Sequence, residues 1–157
     1  MTRVLVGCVG NVLLGDDGFG PAVAARLGAL PGGVKLVETG IGGIALLQEL
    51  LQGFDGLVVV DAMDRQAPPG TVFVLEPEVH EPEHVQDVHL ANPERVLAMA
   101  KGLGCLPARV VIVGCQPLSA EQVGEGLSPP VERAVDVAAE RVRETVRAWL
   151  AAPDERD

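Results

Sequence analysis

Short apolar runs alternate along this chain with stretches whose apolar positions recur at helical spacing. Val4–Val9 is an almost unbroken apolar run, the pattern of a strand covered on both faces. Val34–Glu38, Leu57–Val60 and Arg109–Val113 read as further strands. Between the first two, Pro21–Leu30 places Val23, Leu27 and Leu30 on one helical face, and Pro31-Gly32-Gly33 ends that helix. A second helix is expected over Ile44–Leu51, after a loop rich in glycine at Gly40, Gly42 and Gly43. Asn92-Pro93-Glu94 opens a third, with Asn as N-cap and Pro at the first helical position, running to about Leu103 before Gly104. Ser128-Pro129-Pro130 opens the last, whose Val131, Val135, Ala138, Val142 and Val146 form one stripe.

One connection sets the topology. Only Ala62–Gly70, with Pro68-Pro69-Gly70 inside it, separates Asp61 from Thr71. A parallel crossover needs about a dozen residues, so Thr71–Leu75 is expected as an antiparallel edge strand. The order then predicts a three-layer α/β sandwich: a mostly parallel twisted sheet of about five strands, one of them an antiparallel edge strand, with helices on both faces. Residues 1–152 are expected as a single domain and 153–157 as a frayed tail. Ligands bind at the carboxyl edge of such sheets. There the Asp16–Asp17 turn, the Gly40–Gly43 loop, Asp61 and Gln116 should gather. His89 joins them, because the helix from Pro93 must descend for the next strand to ascend. The Glu76–Leu90 loop can span the sheet at about 3.3 Å per residue.

Composition narrows the function. Aromatic residues make up 3% of the chain, so Val, Leu and Ala must fill the core. A formal net charge of −10 disfavours nucleic acid and anionic membrane surfaces as partners. The amino terminus lacks a secretory pattern, and no apolar run approaches the roughly 20 residues of a membrane span. Cys8, Cys105 and Cys115 are odd in number and lack metal-site spacing. They are expected as reduced thiols, mostly small buried hydrophobes, in a cytoplasmic protein.

The chemistry concentrates in Gly10-Asn11-Val12-Leu13-Leu14-Gly15-Asp16-Asp17-Gly18-Phe19-Gly20-Pro21. Two adjacent carboxylates repel unless a cation, a proton or helix-terminal N–H groups compensate them. With Asp61 and His89 they offer oxygen and nitrogen donors for a borderline divalent ion, leaving positions open for water or substrate. Simpler readings compete: Asp17 as a helix N-cap, Asp16 as a turn residue, Asp61 bonded to a neighbouring loop, and His89 as a packed loop residue. His80 and His84 fall in an acidic loop and read as incidental. Gly7-Cys8-Val9-Gly10 lacks the third glycine of a dinucleotide site, since residue 13 is Leu13. Ser119 and Ser128 lack the context of a nucleophile elbow.

The Gly10–Pro21 motif, followed by Val58-Val59-Val60-Asp61-Ala62 and by His89 ahead of a helix, resembles the hydrogenase maturation endopeptidase family over roughly Arg3 to Leu150. The resemblance implies a protease that trims the carboxyl terminus of a nickel–iron hydrogenase large-subunit precursor. It implies that Asp17, Asp61 and His89 contact nickel, with Asp16 in support and His84 as the alternative histidine. The metal would arrive bound to the precursor, its partner and substrate. Two other readings fit the same motif: a non-catalytic checkpoint protein that binds the loaded subunit, and a small-molecule metal hydrolase.

Overall fold

The computed structural model describes residues 1–40, 43–81, 93–118, 124 and 126–152. The tail 153–157 and both His84 and His89 lie outside them. The strands are β1 (Val4–Val9), β2 (Val34–Gly40), β3 (Gly56–Ala62), β4 (Val72–Leu75) and β5 (Arg109–Cys115). The α-helices are α1 (Phe19–Leu27), α2 (Gly43–Leu50), α3 (Pro93–Gly102) and α4 (Pro129–Ala151), with a short 3-10 turn at Gly15–Gly18. Among the described residues the sheet has five strands in the order β2-β1-β3-β5-β4. The first four in that order are parallel, and β4 runs antiparallel to β5 at the edge, as the short Ala62–Gly70 connection requires.

Alternation along the strands divides the core in two. Val4, Val6, Cys8, Val58, Val60 and Val113 face α1 and α4, whose Phe19, Val23 and the stripe Val131–Val146 cover them. Leu5, Val9, Leu57, Val59 and Ile112 face α2 and α3. Residues of the central strands are covered by one helical layer or the other, which is why β1 and β3 are buried along nearly their whole lengths while the edge strands β2 and β4 are partly exposed.

Helix α1 starts two residues earlier than the sequence pattern suggests and stops at Leu27. Gly28, at φ +63°, terminates it before Leu30. Pro21 sits in the first turn, where its missing N–H removes no helical hydrogen bond. Gly20 lets α1 approach the sheet. A Cβ there would overlap the Val9 carbonyl oxygen and lie 2.8 Å from the Val9 nitrogen and 2.9 Å from the Val60 oxygen.

Candidate active site

Strand β1 delivers the Asp16–Asp17 turn to the carboxyl edge of the sheet, and the turn is closed by main-chain bonds. Asn11 accepts hydrogen bonds from Leu13 N through its side chain and from Leu14 N through its carbonyl. Gly15 N donates to Gly124 O and Gly124 N to Leu13 O, both at 2.8 Å. Gly10, at φ +151°, passes so close beneath the turn that a Cβ would overlap the Asp17 carbonyl oxygen.

The two adjacent acids part company here. Asp16 is 3% exposed and points to the start of α4. Its Oδ1 accepts from Ser128 N at 2.7 Å, and its Oδ2 accepts from Ser128 Oγ at 2.7 Å and Leu118 N at 2.8 Å. Ser128 is the N-cap residue of α4, so this carboxylate lies at the positive end of a long helix and accepts three donors. Ser128 accordingly caps nothing with its own hydroxyl. Replacing Asp16 with Ala leaves those donors without their acceptor. We expect a loss of about 2–3 kcal/mol in urea unfolding, with an unchanged m-value.

Asp17 is half-buried and does not cap α1; its Oδ2 accepts Asn11 N at 2.9 Å. It lines a cleft of about 920 Å³ together with Asp61 and Gly40. Asp61, opposite Gly114 near the end of β3, is 7% exposed. Burial, reinforced by the neighbouring Asp17 carboxylate, pushes the Asp61 carboxyl well above its ordinary value of 3.8, against a lowering by the Ala62 amide. Such a group stabilises the fold when protonated, and that contribution is lost as pH rises through its raised pKa. Asp61→Asn and the wild type should therefore be equally stable below about pH 4 in the metal-free protein. Above that the Asn variant should gain, read as a Tm difference that widens with pH and reaches about 2–4 °C per kcal/mol.

Val9, Leu97 and Ile112 supply apolar wall to the cleft, while Asp64, Glu76, Glu78 and Glu94 make its rim acidic. His80, read from sequence as incidental, also lines it. Among the described residues no group of three His, Cys, Asp or Glu is close enough to hold a metal, so His80 does not complete a trio with Asp17 and Asp61. Gly40 stands in the cleft wall and Gly43 begins α2, whereas Gly42 lies outside the described residues. Gln116 is buried behind the edge, outside the cleft lining.

The cysteines behave as core. Burial, with Glu38 adding, pushes the Cys8 thiol up to about 12; burial, with Asp16 adding, pushes Cys115 up to about 11. Neither is a thiolate nucleophile at neutral pH.

Two acidic side chains, Asp17 and Asp61, thus face one cleft at the carboxyl edge of a mostly parallel sheet, the edge where open α/β folds place their ligands. The sequence model of the hydrogenase maturation protease family, HycI, matches residues 22–145. The hydrogenase expression/formation protein HupD of Rhodobacter capsulatus is 37% identical over 154 residues, covering 94% of this chain and 72% of that protein. The hydrogenase maturating endopeptidase HybD from E. coli is 30% identical, with a TM-score of 0.81 and 94% of each chain covered. A hydrogenase 2 maturation peptidase from a Thaumarchaeota archaeon is 31% identical, with a TM-score of 0.68 over 92% of this chain and 98% of that one. This chain belongs to the hydrogenase maturation protease family. No helix among its described residues is long and apolar enough to cross a membrane.

Proposed function

We propose that this protein is a cytoplasmic endopeptidase that removes the C-terminal extension of a nickel-loaded hydrogenase large-subunit precursor. The observation carrying this reading is that Asp17 and Asp61, far apart in sequence, line one cleft, where their mutual repulsion asks for a cation. Carboxylate and imidazole oxygen and nitrogen donors suit a borderline ion such as nickel. The ion belongs to the substrate: it comes with the precursor, and Asp17, Asp61 and His89 complete its coordination. Docking on the ion brings the scissile peptide against the acidic pair. Proximity then combines with polarisation of the carbonyl, and a carboxylate accepts the proton of the attacking water. The enzyme would thus cut after loading and leave the empty precursor alone.

The test is to incubate purified protein with nickel-loaded and metal-free precursor and to follow the precursor's mass. Loss of a C-terminal fragment from the loaded form alone is expected. An unchanged mass with a stable complex would instead support a checkpoint protein that binds and does not cut. Tightly held metal in the isolated protein would support a small-molecule metal hydrolase.

A further inference from the structure

The β3–β4 connection is built as a rigid wall of the cleft, and its anchor is Gln116. The buried side-chain amide of Gln116 uses its full bonding capacity. Its Oε1 accepts Arg65 N at 2.7 Å and Ala67 N at 3.2 Å, while its Nε2 donates to Asp64 Oδ1 at 3.0 Å and Pro117 O at 3.2 Å. Asp64 Oδ1 also accepts Gln66 N at 3.1 Å, and this network holds Gln66 at φ +57°, a left-handed conformation unusual for a residue with a side chain. The same Gln116 bond holds the Asp64 carboxyl below its ordinary value.

What the wall presents is Arg65. Its guanidinium carbon lies over the Phe73 ring on β4, 5.6 Å from the centroid, in a cation–π contact. Among the described residues Arg65 is the one Lys or Arg lining the cleft, and no carboxylate there makes an ion pair with it. That contact uses none of the guanidinium N–H donors, the groups that pair with carboxylates in two parallel hydrogen bonds. Elsewhere the rim is acidic and repels an anion.

We propose that Arg65 is a substrate-binding residue that takes a carboxylate of the precursor's C-terminal segment, and that Gln116 is the positioning residue that aims it. This rests on the protease reading and deepens it. The carboxylate has two possible sources, an acidic side chain of that segment or the chain terminus itself.

The experiment is steady-state cleavage of the nickel-loaded precursor. Arg65→Ala should raise KM about tenfold or more, with kcat changed less than about twofold, as expected for losing a charge-assisted bond made equally in ground and transition states. Arg65→Lys, which keeps the charge and loses the fork, should fall between. Gln116→Ala should raise KM in the same direction, and the Arg65→Ala/Gln116→Ala double variant should be no worse than Arg65→Ala alone. A Gln116 that merely supports the fold would add its own loss.

Two precursor variants separate the sources. One carries amides in place of the acidic side chains of the segment, and the other carries a neutral Gly-Ser extension beyond the natural end. The variant lacking the right carboxylate should show no further loss with Arg65→Ala. An unchanged KM in Arg65→Ala, or a full Arg65→Ala effect persisting with both precursor variants, overturns the proposal while leaving the protease reading intact. If wild-type protein leaves the precursor uncut, the protease reading fails. The same comparisons are then made on binding affinity, where an Arg65→Ala loss of about tenfold keeps the carboxylate contact and no loss discards it.

Discussion

Asp61→Ala is expected to abolish precursor processing, by about 10²- to 10⁴-fold, while the protein stays folded. Asp61 is almost fully buried among the walls of the cleft, where its charge is opposed by Asp17 and supported by one local amide. Among the described residues its side chain ties no distant elements together in the manner of Asp16. Removing it takes away a proposed donor of the site and relieves the cost of burying a carboxylate beside Asp17, so activity and stability should move in opposite directions. Asp17→Ala should lose processing equally, with a small stability cost because Asn11 N loses its acceptor. His89→Ala is expected to match them. Mass spectrometry of the precursor alongside a thermal melt of each variant reads both quantities. Retained cleavage in any one variant removes that residue from the site.

Gly20→Ala is expected to destabilise the fold severely. Most glycine-to-alanine changes within helices stabilise, because alanine has the higher helix propensity. At Gly20 the added carbon meets main-chain atoms of both β1 and β3, none of which can rotate aside. Helix α1 would have to lift from the sheet, opening the layer around Phe19 and Val23 that fills one half of the core. Overpacking of this kind costs about 3 kcal/mol or more, or about 6–12 °C in Tm for a domain of this size. Gly28→Ala makes a useful contrast, since nothing lies within 4 Å of its added carbon and only the positive φ penalises it.

The sheet was legible because its strands are short apolar runs bounded by glycine, and because Ala62–Gly70 is too short to cross over. Helix boundaries were less so: Leu30 fits the α1 stripe, yet Gly28 had already turned the chain away. The meeting of Asp17 with Asp61 followed from topology alone, since parallel strands must end together. The division of labour between Asp16 and Asp17 did not. Two neighbouring aspartates look alike in a local pattern, and what distinguishes them is Ser128, a partner remote in sequence. The helix-opening Ser128-Pro129-Pro130 was visible, but not which acid it would attract. Gln116 reads from sequence as an edge residue without a role, because a polar residue after a strand reads the same whether it faces solvent or anchors a loop. His89 falls outside the described residues, so its place beside the two acids stays a proposal.

Asp61 stands on β3, and Asp17 lies in the turn that follows β1, its immediate neighbour in the sheet. Asp17 Oδ2 accepts Asn11 N just past the end of β1, so the gap between the acids is set by this hydrogen-bonded unit rather than by the outer loops. Insertions in the surrounding loops would reshape which polypeptide can enter without widening that gap. Descendants of this scaffold can therefore change clients while keeping the acidic pair in place.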